Sequence, residues 1–471
     1  MVFSGVTFLF YFLPLFLLVY ILTPNRFRNY WLLAGSVVFY AWGAPKFVFV
    51  LLASTIIDFY IVRQLHVASE EHKRKRWLAL SITLNLGLLV YFKYANFFVD
   101  NINEVLTTMG LGEIPLSQII LPIGISFYTF QTLTYSIDIY RRNEKPLDRV
   151  SDYVLYIMMF PQLIAGPIVR FSSISKQLVN RVLTSKNLVE GFIRFSIGLG
   201  KKVLLANTLA IAADAIMSLP PNQLSSTVAW FGILCYTFQI YFDFAGYSDM
   251  AIGLGKMLGF RFPENFESPY TAVSITDFWR KWHITLGGFM RDYLYLPLGG
   301  NRSGVGRTYR NLFLVFVLSG LWHGASWNFV LWGVFHGFFL VLERLTGLSR
   351  STKMRLPRVF ITFLIVALGW VIFRIENLGH AQEFYAQLFS FNGTTPLQAH
   401  NAKLITVLLI SVFFSFVTLS GRGARWRKHF YNQDYAIRSL LIYFVLAMVI
   451  FVWSVASLST GAFNPFIYFR F

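Results

Sequence analysis

Between Arg310 and Glu343 the chain carries no Asp, Glu, Lys or Arg, and inside that run stands a histidine, His323, in Leu318-Ser-Gly-Leu-Trp-His-Gly-Ala. A second histidine, His336, lies further along the same run. A stretch this apolar, and longer than the roughly 20 residues that cross a bilayer, belongs in a membrane. An ionisable side chain there is costly to bury, so one that is kept is a functional candidate by default. Imidazole is also the group best suited to moving protons near neutral pH.

The rest of the chain supplies a setting of the same kind. Of 471 residues, 56% are hydrophobic and only 13% charged, against about 25% charged in ordinary soluble domains. An all-α, polytopic integral membrane protein follows. Apolar runs fall near 5–23, 30–42, 46–65, 77–98, 117–137, 151–168, 189–217, 226–242, 311–342, 356–373, 403–420 and 435–458. They predict about eleven spans or part-spans, roughly, since several fall short of a full crossing. Leu121-Pro-Ile-Gly and Phe160-Pro-Gln-Leu-Ile-Ala-Gly-Pro are broken by Pro and Gly. Broken segments survive at membrane depth only where protein or a water-filled cavity satisfies their backbone. No shift in composition marks a second domain, so residues 1–471 read as one transmembrane domain. Residues 5–23 read as a retained first span, because no basic region or small-residue cleavage site accompanies them.

The net charge of +19 calls for no nucleic acid partner. The cations sit in short loops, as cytoplasmic loops of membrane proteins require, and a basic membrane face also suits a phosphate-bearing substrate. Loops holding Arg26/Arg28, Lys73–Arg76, Arg141–Arg149, Arg344–Arg358 and Arg422–Lys428 are expected in the cytoplasm. The loops at 99–116 and 374–402 are expected outside, with both termini. Asn392-Gly-Thr is a weak glycosylation pattern. A lone cysteine, Cys235, excludes an internal disulfide and a cysteine-built metal site. Ile197-Gly-Leu-Gly-Lys and Ile252-Gly-Leu-Gly-Lys echo each other, as helix packing or by chance.

Three histidines lie outside predicted loops: His283, His323 and His336. His283 ends Thr276-Asp-Phe-Trp-Arg-Lys-Trp-His, which reads as an interfacial helix with Trp279 and Trp282 at headgroup level. Asp277 is a candidate cap for that helix. For His283 a catalytic or substrate-contacting role competes with simple anchoring. His323 is either a base or a neutral buried histidine bonded to a backbone carbonyl or to Asn328. Gly320 and Gly324 beside it allow a close approach by a ligand. His336 fits a cavity-lining role. Asp243, Tyr247 and Asp249, in Tyr241-Phe-Asp-Phe-Ala-Gly-Tyr-Ser-Asp, either line a cavity or make buried pairs that hold helices together. No histidine pair has the spacing of a zinc helix, and no G-x-S-x-G elbow is present.

These blocks resemble the membrane-bound O-acyltransferase family, most closely its alginate O-acetylation (AlgI-like) branch. The resembling residues include Tyr91-Phe-Lys-Tyr-Ala-Asn-Phe, Leu121-Pro-Ile-Gly-Ile-Ser-Phe-Tyr, Phe160-Pro-Gln-Leu-Ile-Ala-Gly-Pro, Tyr241 to Gly253, Phe278-Trp-Arg-Lys-Trp-His, Asp292-Tyr-Leu-Tyr, Gly299-Gly-Asn-Arg and Gly320-Leu-Trp-His-Gly-Ala. The resemblance implies a ring of tilted and broken helices around a central funnel. It implies that His323 is the catalytic histidine and His283 a second one. It further implies an inner-membrane acetyltransferase subunit without a bound cofactor. Acetyl would pass from a cytoplasmic acetyl-CoA-like donor, through a periplasmic acetyltransferase partner, to an exported or cell-wall polysaccharide. Arg280, Lys281 and Arg302 are then candidates for donor phosphates, and Trp322, Asn328 and His336 for the walls of the substrate site. Base catalysis and a covalent acetyl-histidine both remain open. Two other classes compete: a polysaccharide or lipid transporter, whose helices are also broken, and a non-catalytic scaffold of a secretion complex.

Overall fold

The structure, a computed structural model, describes residues 1–302, 304–348, 354–391, 402–431, 435–460 and 466–467. Among them there is no strand. Among the described residues eight helices are long and apolar enough to cross a membrane, and the protein is an all-α, polytopic membrane protein. The other apolar runs form shorter helices and turns. The sequon at Asn392 lies outside the described residues. Residue contacts divide the chain into two compact units.

The first unit holds residues 1–184 and 258–263. Its helices are α1 (Thr7–Leu22), α2 (Arg28–Gly43), α3 (Phe47–Val67), α4 (Glu71–Thr108), α5 (Ile125–Tyr140), α6 (Val150–Met158) and α7 (Phe171–Val179). At about 1.5 Å per residue, α3 matches a hydrocarbon core and α4 outruns it. Residues 99–108 therefore continue a helix rather than form a loop. Asp58 is fully buried in the middle of α3. Its Oδ1 accepts hydrogen bonds from Ser81 Oγ (2.5 Å) and Asn85 Nδ2 (3.0 Å) of α4, and its Oδ2 from Tyr153 of α6 (2.5 Å). Ser81 also meets Ser136 of α5 at 2.7 Å. One carboxylate thus ties three helices, with α5 joined through Ser81, and its buried oxygens are satisfied by hydrogen bonds.

The second unit holds residues 185–257 and 264–471. It begins with α8 (Ser185–Met217) and α9 (Ser226–Met257), followed by α10 (Ile275–Lys281), α11 (Ile284–Phe289), α12 (Val305–His323) and α13 (Trp327–Leu345). Then come α14 (Arg355–Arg374), α15 (Leu378–Leu388), α16 (Ala402–Leu419), α17 (Gly421–Tyr431) and α18 (Ile437–Thr460). Helices α8 and α9 run antiparallel in very close contact. A Cβ on Gly198 would stand 2.5 Å from the Gly246 carbonyl oxygen, and one on Gly253 2.6 Å from that of Gly191. Both positions must be glycine for the backbones to meet. The echoed Gly-containing segments are therefore a helix-packing device.

Ion pairs line the same seam: Glu190–Lys256 (2.6 Å), Arg194–Asp249 (2.6 Å), Lys201–Asp249 (2.6 Å) and Lys202–Asp243 (2.7 Å). A π-helical stretch at Lys201–Ala206 widens the turn so that the adjacent Lys201 and Lys202 both reach α9. Asp243 also accepts the Ile467 amide at 2.8 Å, and Tyr247 stacks on Phe466 at 4.5 Å. The acidic block holds helices and the last described residues together.

Candidate active site

All three singled-out histidines lie in the second unit. The apolar run around His323 is not one helix. It folds into a hairpin that turns at Gly324–Ser326, where Gly324 and Ser326 are extended. His323 is the last residue of α12, not the midpoint of a span. Gly320 and Gly324 serve this hairpin and not a ligand. A Cβ at 320 would lie 2.2 Å from the Phe329 carbonyl oxygen, and one at 324 would strike the Phe329 ring.

A cage of rings surrounds His323, with centroids of Trp322 at 5.0 Å, Trp332 at 5.1 Å and Phe373 at 5.3 Å. Asn328 is fully buried and donates from Nδ2 to the Ile372 and Phe373 carbonyls, at 3.2 and 3.3 Å. It therefore fixes the end of α14, and with it Phe373. His336 is fully buried against Trp332 (4.9 Å) and Trp279 (5.0 Å), and among the described residues neither of its ring nitrogens has a hydrogen-bond partner. Trp327 is half exposed.

Capping at the start of α10 differs from the expectation for Asp277. Ser274 is the N-cap and accepts the Asp277 amide at 3.0 Å. Asp277 reaches back to the Val273 amide (3.1 Å) and pairs with Lys281 (2.8 Å). This is a variant of the capping box, in which the N3 side chain accepts from the residue before the N-cap. Glu343 of α13 completes it by accepting the amides of Ile275 (2.5 Å) and Thr276 (3.0 Å) and the Thr276 hydroxyl (2.9 Å). The aromatic residues of this helix face inward rather than to headgroups. Trp282 is buried against Trp370 (5.0 Å) and Phe266 (5.1 Å), and Trp279 packs on Trp332 (5.3 Å). Rings in this block fill core because α10 is held by protein at both ends.

Directly after α10 the chain turns through His283, whose φ of 46° and ψ of 53° put it in the left-handed region. That conformation is uncommon for a residue with a Cβ, and such strain gathers at functional sites. His283 is buried, and its ring meets Phe244 at 4.7 Å and Trp322 at 6.1 Å. Trp322 is thus the shared neighbour of His283 and His323.

The tautomer of His283 follows from its partner. Asn265 Oδ1 accepts from the Thr285 hydroxyl (2.8 Å) and amide (3.3 Å), while Asn265 Nδ2 donates to Ser248 (3.1 Å). The oxygen side of the amide is therefore turned to His283 Nδ1, at 3.0 Å, and Nδ1 must carry the proton. Nε2 keeps its lone pair and is buried without a hydrogen-bond partner among the described residues. His283 lies outside the eight spanning helices, and burial lowers its pKa to about 3. The ring is neutral at pH 7, with one fixed donor and one open acceptor. Sequence reading missed Asn265, a single polar residue in an irregular loop with no periodic link to His283. It missed Glu343 as well, which served there only to mark the end of the uncharged run.

Of the three cations proposed for donor phosphates, Lys281 is spent on Asp277, while Arg280 and Arg302 are exposed. Arg280 lines a cavity of about 590 Å³ with Thr276, Asn301, Thr308, Tyr309 and Arg344. No histidine lines it.

A buried asparagine–histidine pair thus shares Trp322 with a second buried histidine, in a polytopic helical membrane protein. The family model of MBOAT, the membrane-bound O-acyltransferase family, matches residues 147–378. The probable alginate O-acetylase AlgI of Pseudomonas putida is 42% identical over 490 residues, covering all of both chains. That of Pseudomonas aeruginosa is 46% identical over 92% of this chain and 83% of its own. The peptidoglycan O-acetyltransferase of Helicobacter pylori is 37% identical over 84% of this chain and 81% of its own. This chain belongs to the membrane-bound O-acyltransferase family and is a membrane O-acyltransferase.

Asn265 sets the tautomer, so its loss lets the imidazole turn over and leaves part of its polar surface unpaired. Asn265→Ala is expected to lower the transfer rate about tenfold, the equivalent of one lost hydrogen bond. In the His283→Ala background the Asn265→Ala change should add little, so the double variant should be about as slow as His283→Ala alone. Initial rates on the single and double variants check the coupling.

Proposed function

We propose that this enzyme moves acetyl from a cytoplasmic thioester, an acetyl-CoA-like donor, across the inner membrane for O-acetylation of an exported polysaccharide of the alginate or peptidoglycan kind. The supporting observation is the His283 imidazole, its proton held at Nδ1 by Asn265 and its Nε2 open, beside the indole that also packs on His323. In this reading His323 takes the proton of the incoming hydroxyl. The oxygen attacks the thioester carbonyl carbon, the C–S bond breaks, and the thiolate leaves and picks up a proton. His283 Nε2 accepts a hydrogen bond from a neighbouring hydroxyl of the acceptor and so aligns the attacking one. Water is excluded by the rings of Trp322, Trp332 and Phe373. The donor is a substrate, and Arg280 with Arg344 would hold its phosphates.

The short basic loops put the donor side in the cytoplasm, with both termini in the periplasm. A periplasmic acetyltransferase partner completes the relay to polymer. The purified chain in proteoliposomes is therefore expected to release thiol from acetyl-CoA and to acetylate a small hydroxyl acceptor, yet to leave polysaccharide unmodified. Thiol release followed by Ellman chemistry, with acetyl analysis of the polymer, checks both halves. Full acetylation of polymer by the isolated chain would overturn the relay. Absence of thiol release would overturn the donor.

A further inference from the structure

The first unit contains a cavity of about 1460 Å³ that the acyl-transfer reading does not use. Eight cations line it, Arg26, Arg28, Arg74, Arg142, Lys145, Arg149, Lys176 and Arg181, against the carboxylates Glu144, Asp148 and Asp152. Arg74 and Arg181 are committed to main-chain carbonyls and to Tyr20 and Asn29. Asp152 accepts from Asn29 at 3.0 Å. Arg26, Lys145, Arg149 and Lys176 are exposed, and none forms an ion pair among the described residues. Four uncompensated cations around one concave surface repel each other, and an anion relieves that repulsion.

The position of the bowl selects the kind of anion. Its lining begins where α1 ends, at Asn25, and includes the turn between the spanning helices α3 and α4, from Val67 to Ser69. Ends of spanning helices lie at the level of lipid headgroups. The rim is apolar as well: Val67 and Val179, both among the lining residues, are each 71% exposed. A soluble nucleotide has no use for such a rim, whereas acyl chains do.

We propose that this basic bowl is a binding site for an anionic phospholipid. Its phosphodiester lies among Arg26, Lys145, Arg149 and Lys176, and its chains run over Val67 and Val179. Basic pockets at the ends of membrane helices suit acidic headgroups in this way. The site is separate from the acyl-transfer reading, which uses only residues of the second unit.

The test is native mass spectrometry of the full chain released from nanodiscs of mixed phosphatidylglycerol and phosphatidylcholine. Wild type is expected to retain phosphatidylglycerol selectively. The variant carrying Lys145→Gln, Arg149→Gln and Lys176→Gln should lose that selectivity by about 100-fold, taking each surface cation at its usual contribution. A charge-keeping variant, Lys145→Arg with Lys176→Arg, should retain it. So should a control on another basic segment, Arg422→Gln with Arg425→Gln and Lys428→Gln. Helical content and unchanged thiol release identify variants that are folded. Equal retention of phosphatidylglycerol by wild type and the bowl variant would overturn the proposal, as would equal loss in the control. Saturable binding of inorganic phosphate or free coenzyme A to wild type, lost in the bowl variant while lipid retention stays the same, would assign the bowl to a soluble anion instead.

Discussion

His323→Ala is expected to cut acetyl transfer by about 10²–10⁴-fold, the range for removing a positioned general base. Its imidazole ends α12 at the turn of a hairpin, inside rings supplied by α12, α13 and α14. Alanine there removes the base and leaves the hairpin's backbone contacts, which run through Gly320 and Phe329, in place. The loss should therefore fall on kcat/KM without a comparable loss of folded protein. Rates in proteoliposomes at matched protein amounts, with size-exclusion profiles as the control, measure it. A His323→Ala enzyme with near-normal rates would move the chemistry to His283. His323→Gln keeps a hydrogen-bonding group but no basic nitrogen, so it should be as slow as alanine if proton removal is the role. A recovery with glutamine would point to positioning instead.

The membrane class was legible because it rests on composition and on long apolar runs, which tertiary structure does not alter. His323 and His336 were legible for the same reason: an imidazole in a run without charge stands out at any register. The hairpin was not legible. Hydropathy sums over a window and is blind to a three-residue turn at Gly324–Ser326 flanked by apolar sequence on both sides. Asp58 was hidden likewise inside the run at 46–65, and its partners Ser81, Asn85 and Tyr153 come from other helices. Trp279 and Trp282 were expected at headgroups because tryptophan beside cations usually marks an interface. Here Glu343 and Asn265, both distant in sequence, hold the segment within the protein, and the rings turn inward. Asn265 shows the limit most plainly. Its importance comes from one amide oxygen 3.0 Å from a ring nitrogen, a relation that no spacing rule contains.

Membership of an O-acyltransferase family answers the two rival classes, transporter and scaffold, at the level of the enzyme. The geometry explains why a membrane enzyme would keep such residues. In the polar loop regions a histidine is one of many proton carriers. In the proposed reaction His323 works inside a cage of rings, where electrostatic effects are large because the surroundings screen little. A fixed Nδ1–H, as at His283, removes the alternative tautomer before substrate arrives.

The largest expected effect on stability is at Asp249. Its carboxylate receives Arg194 through Nε (2.9 Å) and Nη2 (2.6 Å), and Lys201 at 2.6 Å. All three side chains are largely removed from solvent in the α8–α9 seam. Asp249→Ala leaves two cations facing each other with one exposed-side partner, Glu264, on Arg194 at 2.6 Å. Removing one member of a buried pair costs about 3–5 kcal/mol, because the remaining charge stays desolvated. The seam cannot open to admit water, since Gly198 and Gly246 bring the backbones to direct contact. Asp249→Ala is therefore expected to unfold at much lower denaturant than wild type and to accumulate poorly. Asp249→Asn should lie between the two, as its one carbonyl oxygen still accepts from Arg194 or from Lys201, while the charge and the other acceptor are lost. The double variant Asp249→Leu with Lys201→Leu removes two of the charges together and should recover part of the loss. Unfolding midpoints of the four proteins in one detergent measure the series. If Asp249→Ala is as stable as wild type, the ion pairs of the seam are not what holds α8 to α9, and the glycine contacts alone must do so.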